Sequence, residues 1–539
     1  MPQETGVNAK WFLLIAIFTL FAVTGGILFW RSLHIDNFTH DWVVRELSER
    51  FETKVELADL HVSAFPEMSV EGHNLVIYHR DKDYPFIQID QFAFHLGVLG
   101  IFSAPHEISS ISLNSMAITV PPRGQQKALA SAQDTSASPE ENKKALSGIL
   151  VDEIICENTK LVILPKVEGK LPLEWDIHAL SLFHAGANRS ITFRGTLTNA
   201  KPKGEITTAG NFGPWNLDDK GDTPVNGNYD FTNADLGPFP GIAGILSSTG
   251  KYTGQLDTLE VDGETDTPDF SLDRVGKPVP LHTDYSATVD GLNGDTNLHP
   301  VRATLIKSVI ISDGSVVNVP NKGHNISLDI HSDGARVEDI LALAMKDDTP
   351  LLRGPAVIKA KLFLPPGKVK VIEKMVMDAN VSVDNAHWSS PKIREELESF
   401  SRRAEGKVED EEAGSAVSHL QAKFHVDKGA IHFSNLTFSV PGASVDLVGD
   451  YRVRDGELNF KGHVRLQAKL SDLVTGAKSV FLKPLDPFFS KNGAGTELPV
   501  TITGTRDVTT FGVSIFHKTF SKTIGGPTEP QAKQSSKAN

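Results

Sequence analysis

The feature that most constrains this chain is an unbroken alternation of apolar and polar residues from Leu458 to Leu470 (LNFKGHVRLQAKL). Successive side chains of a β-strand point to opposite faces of the sheet, so a period of two predicts a long strand with one dry and one wet face. The candidate residues for the dry face are Leu458, Phe460, Val464, Leu466 and Leu470.

A second segment predicts the partner of this strand. Ser444–Arg454 also alternates and places Val445, Leu447 and Tyr451 on one side. Asp455-Gly456 separates the two segments, and Asp-Gly is a common hairpin turn because glycine accepts positive φ angles. The sequence therefore predicts an antiparallel hairpin whose register is fixed by its apolar face.

Most of the remaining chain beyond residue 54 has the same period of two. Early candidate strands are Lys54–Val62, Ser69–His79, Phe86–Phe94 and Ser112–Val120. Asp-Gly recurs at 262–263, 290–291, 313–314 and 333–334, and Asn-Gly occurs at 226–227 and 293–294. These pairs favour further hairpin turns. The predicted fold class is mostly β, a long antiparallel meander with a few short helices.

Three short helices are predicted by apolar residues at helical spacing. The first follows Thr39 as N-cap, with Phe38 and Val43 placed for a hydrophobic staple and Val43, Leu47 and Phe51 on one face. The other two are Arg336–Met345 and Lys392–Arg403.

The chain begins with the pattern of a membrane anchor. Trp11 to Trp30 carries no charge, and a helix of this length spans ~30 Å, the thickness of the hydrocarbon core. Trp11 and Trp30 lie where indoles favour the headgroup region. Because the apolar run is long and Phe29-Trp30-Arg31-Ser32 is a poor cleavage site, we expect an uncleaved single-pass anchor rather than a signal peptide.

Composition shifts divide the chain into segments. The predicted division is 1–31 with a cytoplasmic stub and the anchor, 32–120 as an N-terminal α/β region, 121–148 as a disordered linker, 149–390 as a central β region, 391–418 as a helical and acidic insertion, 419–520 as a C-terminal β region and 521–539 as a disordered tail.

Composition also excludes several classes of function. The net charge of −14 argues against nucleic acid as a partner. The single cysteine, Cys156, rules out an intrachain disulfide or a multi-cysteine zinc cluster, and we interpret it as a small packed residue. The histidines show no metal-ligand spacing, and the acidic stretch Asp262–Asp273 lacks the EF-hand arrangement. We therefore expect no catalytic residues, no cofactor and no metal; an anchored hydrolase stays only a formal alternative.

The alternation of apolar and polar residues does not show what covers the dry face. A second sheet, a helix or an apolar ligand would each remove it from water. A β-sandwich is the commonest solution. A curled sheet that holds acyl chains is the alternative.

Several segments resemble AsmA-type proteins. In the N-terminal third these are the anchor and VELADLHVSAFPEMSVEGHNLVIYHR (55–80), followed by FIQIDQFAFHLGVLGIF and ISSISLNSMAITVP. The middle contributes GILSSTGKYTGQLDTLEVDGETDTPDFSL and YSATVDGLNGDTNL, and the final third contributes 424–474 and KPLDPFFSKNGAGTELPVTITGT. Together these segments cover most of the chain outside the linker and the tail.

The resemblance implies a bacterial inner-membrane protein whose body lies in the periplasm. It also implies a long curled β-sheet with an apolar groove, as in TamB-like and bridge-like lipid-transfer proteins, and a part in phospholipid transport to the outer membrane or in envelope homeostasis. The partners expected are phospholipid or another acyl-chain lipid, the inner membrane and other envelope proteins. The alternative function is a structural scaffold with a closed β-sandwich core and no lipid transfer.

Overall fold

The computed structural model describes these residues: 38–51, 53–63, 68–79, 82–96, 106–120, 149–164, 172–186, 189–214, 220–239, 241–272, 276–320, 322–343, 349–350, 352–367, 369–406, 418–469, 471, 495–515 and 518–525. The predicted anchor at Trp11–Trp30 and the predicted linker 121–148 lie outside them. Among the described residues, no helix combines the length and the apolar character needed to span a bilayer.

The described chain is mostly β-strand, as the alternation predicts. The first strands are β1 (Val55–Glu56), β2 (Asp59–Ser63), β3 (Met68–His79), β4 (Lys82–Leu96), β5 (His106–Val120), β6 (Ile149–Ile163), β7 (Leu173–Gly186), β8 (Ile191–Ala200), β9 (Lys203–Phe212), β10 (Pro224–Asp235), β11 (Ile242–Ala243), β12 (Ile245–Gln255), β13 (Thr258–Leu272) and β14 (Val279–Val289). The remaining strands are β15 (Thr296–Leu305), β16 (Ser308–Val319), β17 (Gly323–Arg336), β18 (Leu352–Arg353), β19 (Pro355–Leu364), β20 (Val376–Trp388), β21 (Ser418–Asp427), β22 (Ala430–Val440), β23 (Ala443–Arg452), β24 (Glu457–Leu466), β25 (Thr496–Thr505), β26 (Val508–Ile515) and β27 (Lys518–Gly525).

The part of the chain that the structure describes contains four α-helices. They are α1 (Phe38–Phe51), α2 (Val337–Ala342), α3 (Val371–Lys374) and α4 (Pro391–Ala404), with a short 3₁₀ helix at Lys220–Asp222. All three predicted helices are confirmed, but their ends differ. Because α1 begins at Phe38, Thr39 lies inside the helix and is not its N-cap. The second predicted helix ends at Ala342 instead of reaching Met345.

The chain forms two compact units. Of the described residues, the first unit contains those up to 270 and those within 280–302 and 313–326, and the second contains those within 271–279 and 303–312 and those from 327 onward. The predicted central region 149–390 is therefore divided between the units. The strand β27 also includes residues 521–525, which were predicted to belong to a disordered tail.

In the first unit the sheet is mixed and not purely antiparallel. β1 and β2 both pair with β3, and β3, β4 and β5 form an antiparallel meander. β5 then pairs with β6 in parallel, after which β6 to β10, β12 and β13 continue antiparallel. A parallel pair requires a long crossover connection, and β5 ends at Val120 while β6 begins only at Ile149. The prediction of an uninterrupted meander was wrong here because alternation does not reveal a strand's partner.

The N-terminal part of the first unit has a closed core. Val43 and Leu47 of α1 are fully buried and belong to one core with apolar side chains of β3 to β6. Cys156 lies in this core, where burial raises the pKa of its thiol to about 12. Both facts agree with a packed structural cysteine.

In the second unit, β19 to β27 pair in sequence order as an antiparallel meander. The predicted hairpin is β23 and β24, with Val445 opposite Val464 and Tyr451 opposite Leu458. Arg452 pairs with Glu457, so the turn has four residues, Val453–Gly456, and ends at Gly456 with φ +71°. The strand β24 ends at Leu466, short of the predicted Leu470, because Gln467 and Ala468 instead donate their backbone N–H groups to Gly442 and Ala404.

Most of the predicted Asp-Gly and Asn-Gly turns lie inside strands. The pairs 226–227, 262–263, 313–314 and 333–334 fall within β10, β13, β16 and β17, and only the pairs near 290–294 form a turn in addition to Gly456. A Cβ atom on Gly227 would lie 2.6 Å from the Tyr252 hydroxyl oxygen, and one on Gly263 would lie 2.7 Å from that of Tyr229. At these two positions glycine makes room for a tyrosine ring from another strand, not for a turn.

Candidate functional site

The candidate site is the apolar face of the sheet in the second unit. Facing residues in neighbouring strands form rows across β19 to β26. One row, here called the aromatic row, contains Ala360, Ala379, Phe424, Phe433, Gly449, Phe460, Ile502 and Phe511. The next, the aliphatic row, contains Ile358, Val381, Ala422, Leu436, Leu447, Gly462, Val500 and Val513. Seven intervals of ~4.8 Å give each row a length of roughly 34 Å.

A β-bulge keeps both rows apolar at β22. Phe433 faces Gly449, but Leu436, three residues later, faces Leu447. The extra residue between them returns Leu436 to the same face as Phe433, which a regular strand would not do. The segment AIHFSNLTFSV therefore does not alternate, and sequence reasoning did not identify Phe424, Phe433 or Leu436 as candidates.

Helices cover one side of this face. A third row, here called the covered row, contains Ala356, Val383, Leu420, Phe438, Val445, Val464 and Leu498. Val337 and Leu341 of α2 pack on it near β19 and β20, and Phe400 and Ala404 of α4 pack near β22 to β24.

The aromatic and aliphatic rows are less covered. Phe424, Phe433 and Leu436 are half-buried, and Phe511 at the end of the aromatic row is 42% exposed. The pairings of β19 to β27 form one continuous sheet. A hollow of about 640 Å³ is lined by Ile330, Ala360, Ala379, Phe424 and Phe433 of this face, and also by the polar and charged residues next to them in sequence: Asp329, His331, Lys359, Lys361, Asp378, Asn380, Lys423, His425, His432 and Ser434.

The predicted groove residues are brought together on this face, but they differ in burial. Phe460, Leu447 and Leu466 are buried, the last beneath α4. Half-buried positions are Val445, Tyr451, Leu458 and Val464. Leu470 lies outside the described residues. Phe460 and Leu466 are therefore packed residues of the protein itself.

The opposite face of the sheet is mostly polar, with Val357, Phe363 and Val448 as exposed apolar residues, and it carries a pattern that the sequence did not reveal. Histidines on one strand pair with aspartates on the next: His425 with Asp378 at 2.8 Å, and His432 with Asp450 at 2.6 Å. His425 and Asp378 are 47 residues apart in sequence, so only strand pairing brings them together.

A similar cluster in the first unit contains possible metal ligands. Glu264, His282 and Asp284 place one ligand atom each within 4.8 Å of one another. His282 already hydrogen-bonds Asp266 through Nδ1 at 2.8 Å, and this hydrogen bond, followed by smaller contributions from Asp284, raises the pKa of its imidazole. These exposed side chains form an ion-pair cluster on the wet face, and nothing further assigns a metal to them.

No family model, curated protein or solved structure matches this chain. The resemblance to AsmA-type proteins thus rests on the quoted residues alone and stays a prediction.

Proposed function

We propose that this protein is a membrane-anchored, non-enzymatic lipid-handling protein that holds acyl chains on the apolar face of its second unit. The anchor at Trp11–Trp30 would attach it to the bacterial inner membrane with its body in the periplasm. There it would assist phospholipid transport or outer-membrane and envelope homeostasis.

The observation that carries the proposal is the incomplete burial of the aromatic and aliphatic rows. They form a face about 34 Å long without a charged side chain, and of its eight Phe, Ile and Leu side chains five are half-buried, one is exposed and two are buried. Monomeric soluble proteins rarely leave a contiguous apolar surface of this extent open to water, and such surfaces mark binding sites.

The energetics suit an acyl chain. Each methylene removed from water contributes ~0.8 kcal/mol, so a fourteen-carbon chain gains up to roughly 11 kcal/mol against full exposure. A chain on a half-open face gains less because one side still contacts water. Charged headgroups would stay in water, because the face offers no partner that would offset their desolvation.

Photo-crosslinking from single positions tests the proposal. Benzoylphenylalanine replaces Phe433 in one version of the full-length protein and Phe363 in another. Phe363 is a matched control because it lies in the same unit, on the opposite face, and is 41% exposed. After irradiation in cells, mass spectrometry should find lipid adducts at position 433 and few at 363. Protein adducts at 433 without lipid would instead support the scaffold, and equal lipid labelling at both positions would reject a specific binding face.

A further inference from the structure

A group of hydroxyl side chains lies on one face of β9, β10 and β12 to β14 in the first unit. This hydroxyl patch consists of Thr208, Tyr229, Ser248, Tyr252, Thr265, Thr283 and Tyr285. Strand register places Thr208 opposite Tyr229, and Tyr229 opposite Gly250, which in turn faces Gly263. Three of the six tyrosines of the chain belong to this patch.

The tyrosine rings lie along the sheet over glycines. A Cβ atom on Gly250 would approach the Tyr229 ring to 2.8 Å, and one on Gly227 would approach that of Tyr252 to 2.7 Å. Since these glycines carry no side chain, a phenol oxygen can reach beyond the neighbouring strand. The Tyr252 hydroxyl reaches that of Thr208, two strands away, and the Tyr229 hydroxyl contacts Ser248 on the neighbouring strand β12 and Tyr285 on β14.

The protons of the patch follow a fixed order. Ser248 donates its only hydroxyl proton to the Glu264 carbonyl at 2.9 Å, so Tyr229 must donate to Ser248, and Tyr285 must donate to Tyr229. Likewise Thr208 donates to the Asn228 carbonyl at 2.8 Å, so Tyr252 donates to Thr208. The oxygens of Tyr285 and Tyr252 thus keep free acceptor capacity while these protons are committed.

No Lys, Arg or His side chain shares this face among the described residues of β9 to β14, and its one carboxylate by alternation is Asp269 near the end of β13. Alternation puts Lys251, Asp262 and Glu264 on the opposite face, where they are exposed. Burial raises the pKa of Tyr229 and of Tyr252, which keeps both phenols neutral at physiological pH. An anionic group placed here would lose its hydration without meeting a cation.

We propose that the hydroxyl patch binds the uncharged, hydroxyl-bearing head of an amphiphile, such as the sugar of a glycolipid, in preference to a phosphate headgroup. A sugar hydroxyl brings the proton that the tyrosine oxygens can accept, whereas a phosphate brings further acceptors and charge. The inference rests on the proposed lipid-handling function and adds to it a selectivity that the purely apolar face of the second unit does not supply.

Two synthetic probes test this selectivity. Both are diacylglycerols with a diazirine in the same acyl chain; one carries a galactosyl head and the other a phosphate. The full-length protein is placed in nanodiscs of dioleoylphosphatidylcholine with either probe and irradiated. Mass spectrometry then maps the adducts. We expect peptides covering β9 to β14 to be labelled about fivefold more by the galactosyl probe.

Variants separate binding from folding. Tyr229→Phe combined with Tyr285→Phe keeps both rings over the glycines and removes the hydroxyls, so galactosyl labelling of β9 to β14 should fall about two- to tenfold. Labelling of peptides containing Phe424 and Phe433 should not change. Thr283→Val, which preserves side-chain shape, should cause a smaller loss in the same direction and serves if the double variant does not fold.

The outcomes distinguish the two proposals. Equal labelling of β9 to β14 by both probes, or undiminished galactosyl labelling in the double variant, overturns the hydroxyl patch as a selective site. If both probes label only the peptides with Phe424 and Phe433, the patch is rejected and the proposed function stands. An absence of adducts from either probe on both units rejects both proposals.

Discussion

The rings of Phe433 and Phe460 contact each other across an intervening strand, with their centroids 5.4 Å apart. They belong to β22 and β24, and Gly449 of β23 lies between them in register. Because Gly449 has no side chain, the two rings can meet above it. The ring of Phe424 contacts the other side of Phe433, with a centroid distance of 5.3 Å between these two rings. The aromatic row is continuous through these three rings.

Adding one methyl group at Gly449 should disturb this contact. A Cβ atom there would lie 2.1 Å from the Asn459 carbonyl oxygen and 2.6 Å from the Phe460 Cα, both backbone atoms that cannot rotate away. We expect Gly449→Ala to lower the free energy of unfolding by about 1–3 kcal/mol. Gly334→Ala is the matched control, since no atom lies within 4 Å of its Cβ position. Hydrogen exchange of peptides from β23 and β24 measures the difference, and equal exchange in the two variants would contradict the packing described.

Truncation in α1 should destabilise the first unit. Leu47 is fully buried among the strands, so Leu47→Ala leaves a cavity and should cost about 2–5 kcal/mol. Glu49→Ala, on the exposed side of the same helix, should change stability by less than about 0.5 kcal/mol. Faster hydrogen exchange in β3 and β4 for the first variant alone is the expected result. If both variants exchange like the unchanged protein, α1 does not cover this core.

A charge on the aromatic row should reduce lipid binding without unfolding the second unit. Phe460→Asp and Leu466→Asp do not test this, because both residues are buried and a carboxylate there would unfold a lipid-binding protein and a scaffold alike. Half-buried Phe433 is the better position. We expect Phe433→Asp to lower phospholipid co-purified with the full-length protein about tenfold, and Phe363→Asp to have little effect. Phospholipid would be quantified by mass spectrometry of organic extracts; an unchanged amount in the first variant counts against binding on this face.

The pair of His282 and Asp266 predicts a dependence of stability on pH. The hydrogen bond to Asp266 raises the pKa of His282 above its unfolded value, and Asp284 and Glu264 also face the ring. A raised pKa means that the protonated pair stabilises the fold below the unfolded pKa of about 6.5, and that this contribution is lost as the pH rises through the folded pKa.

The stability difference between the unchanged protein and His282→Gln should therefore be larger at pH 5.5 than at pH 8.5. Urea denaturation at the two pH values measures it. Asp266→Asn should remove most of the difference, since it takes away the principal acceptor. A difference that grows with pH would reverse the sign and exclude this ion pair as its cause.

Local periodicity predicted much of the fold. The hairpin of β23 and β24, with Val445 opposite Val464, follows from two alternating segments, and α1 and α4 follow from apolar residues at helical spacing. These features depend on neighbours within a few residues, which the sequence shows directly. The same reasoning wrongly predicted hairpin turns at Gly227 and Gly263, which lie inside β10 and β13. An Asp-Gly or Asn-Gly pair looks alike whether it turns the chain or leaves space for a tyrosine from another strand.

The sequence by itself determined that this chain is mostly β and that its strands have one dry and one wet face, because the backbone alternates its side chains whatever surrounds it. Only the tertiary structure decided that β5 pairs with β6 in parallel and that His425 forms an ion pair with Asp378. Only the structure shows that a bulge places Leu436 on the same face as Phe433. The tertiary structure also decided that α4 buries Leu466 while Phe433 is only half-buried. Burial of an apolar residue depends on which distant segment packs against it, and no local pattern records that partner.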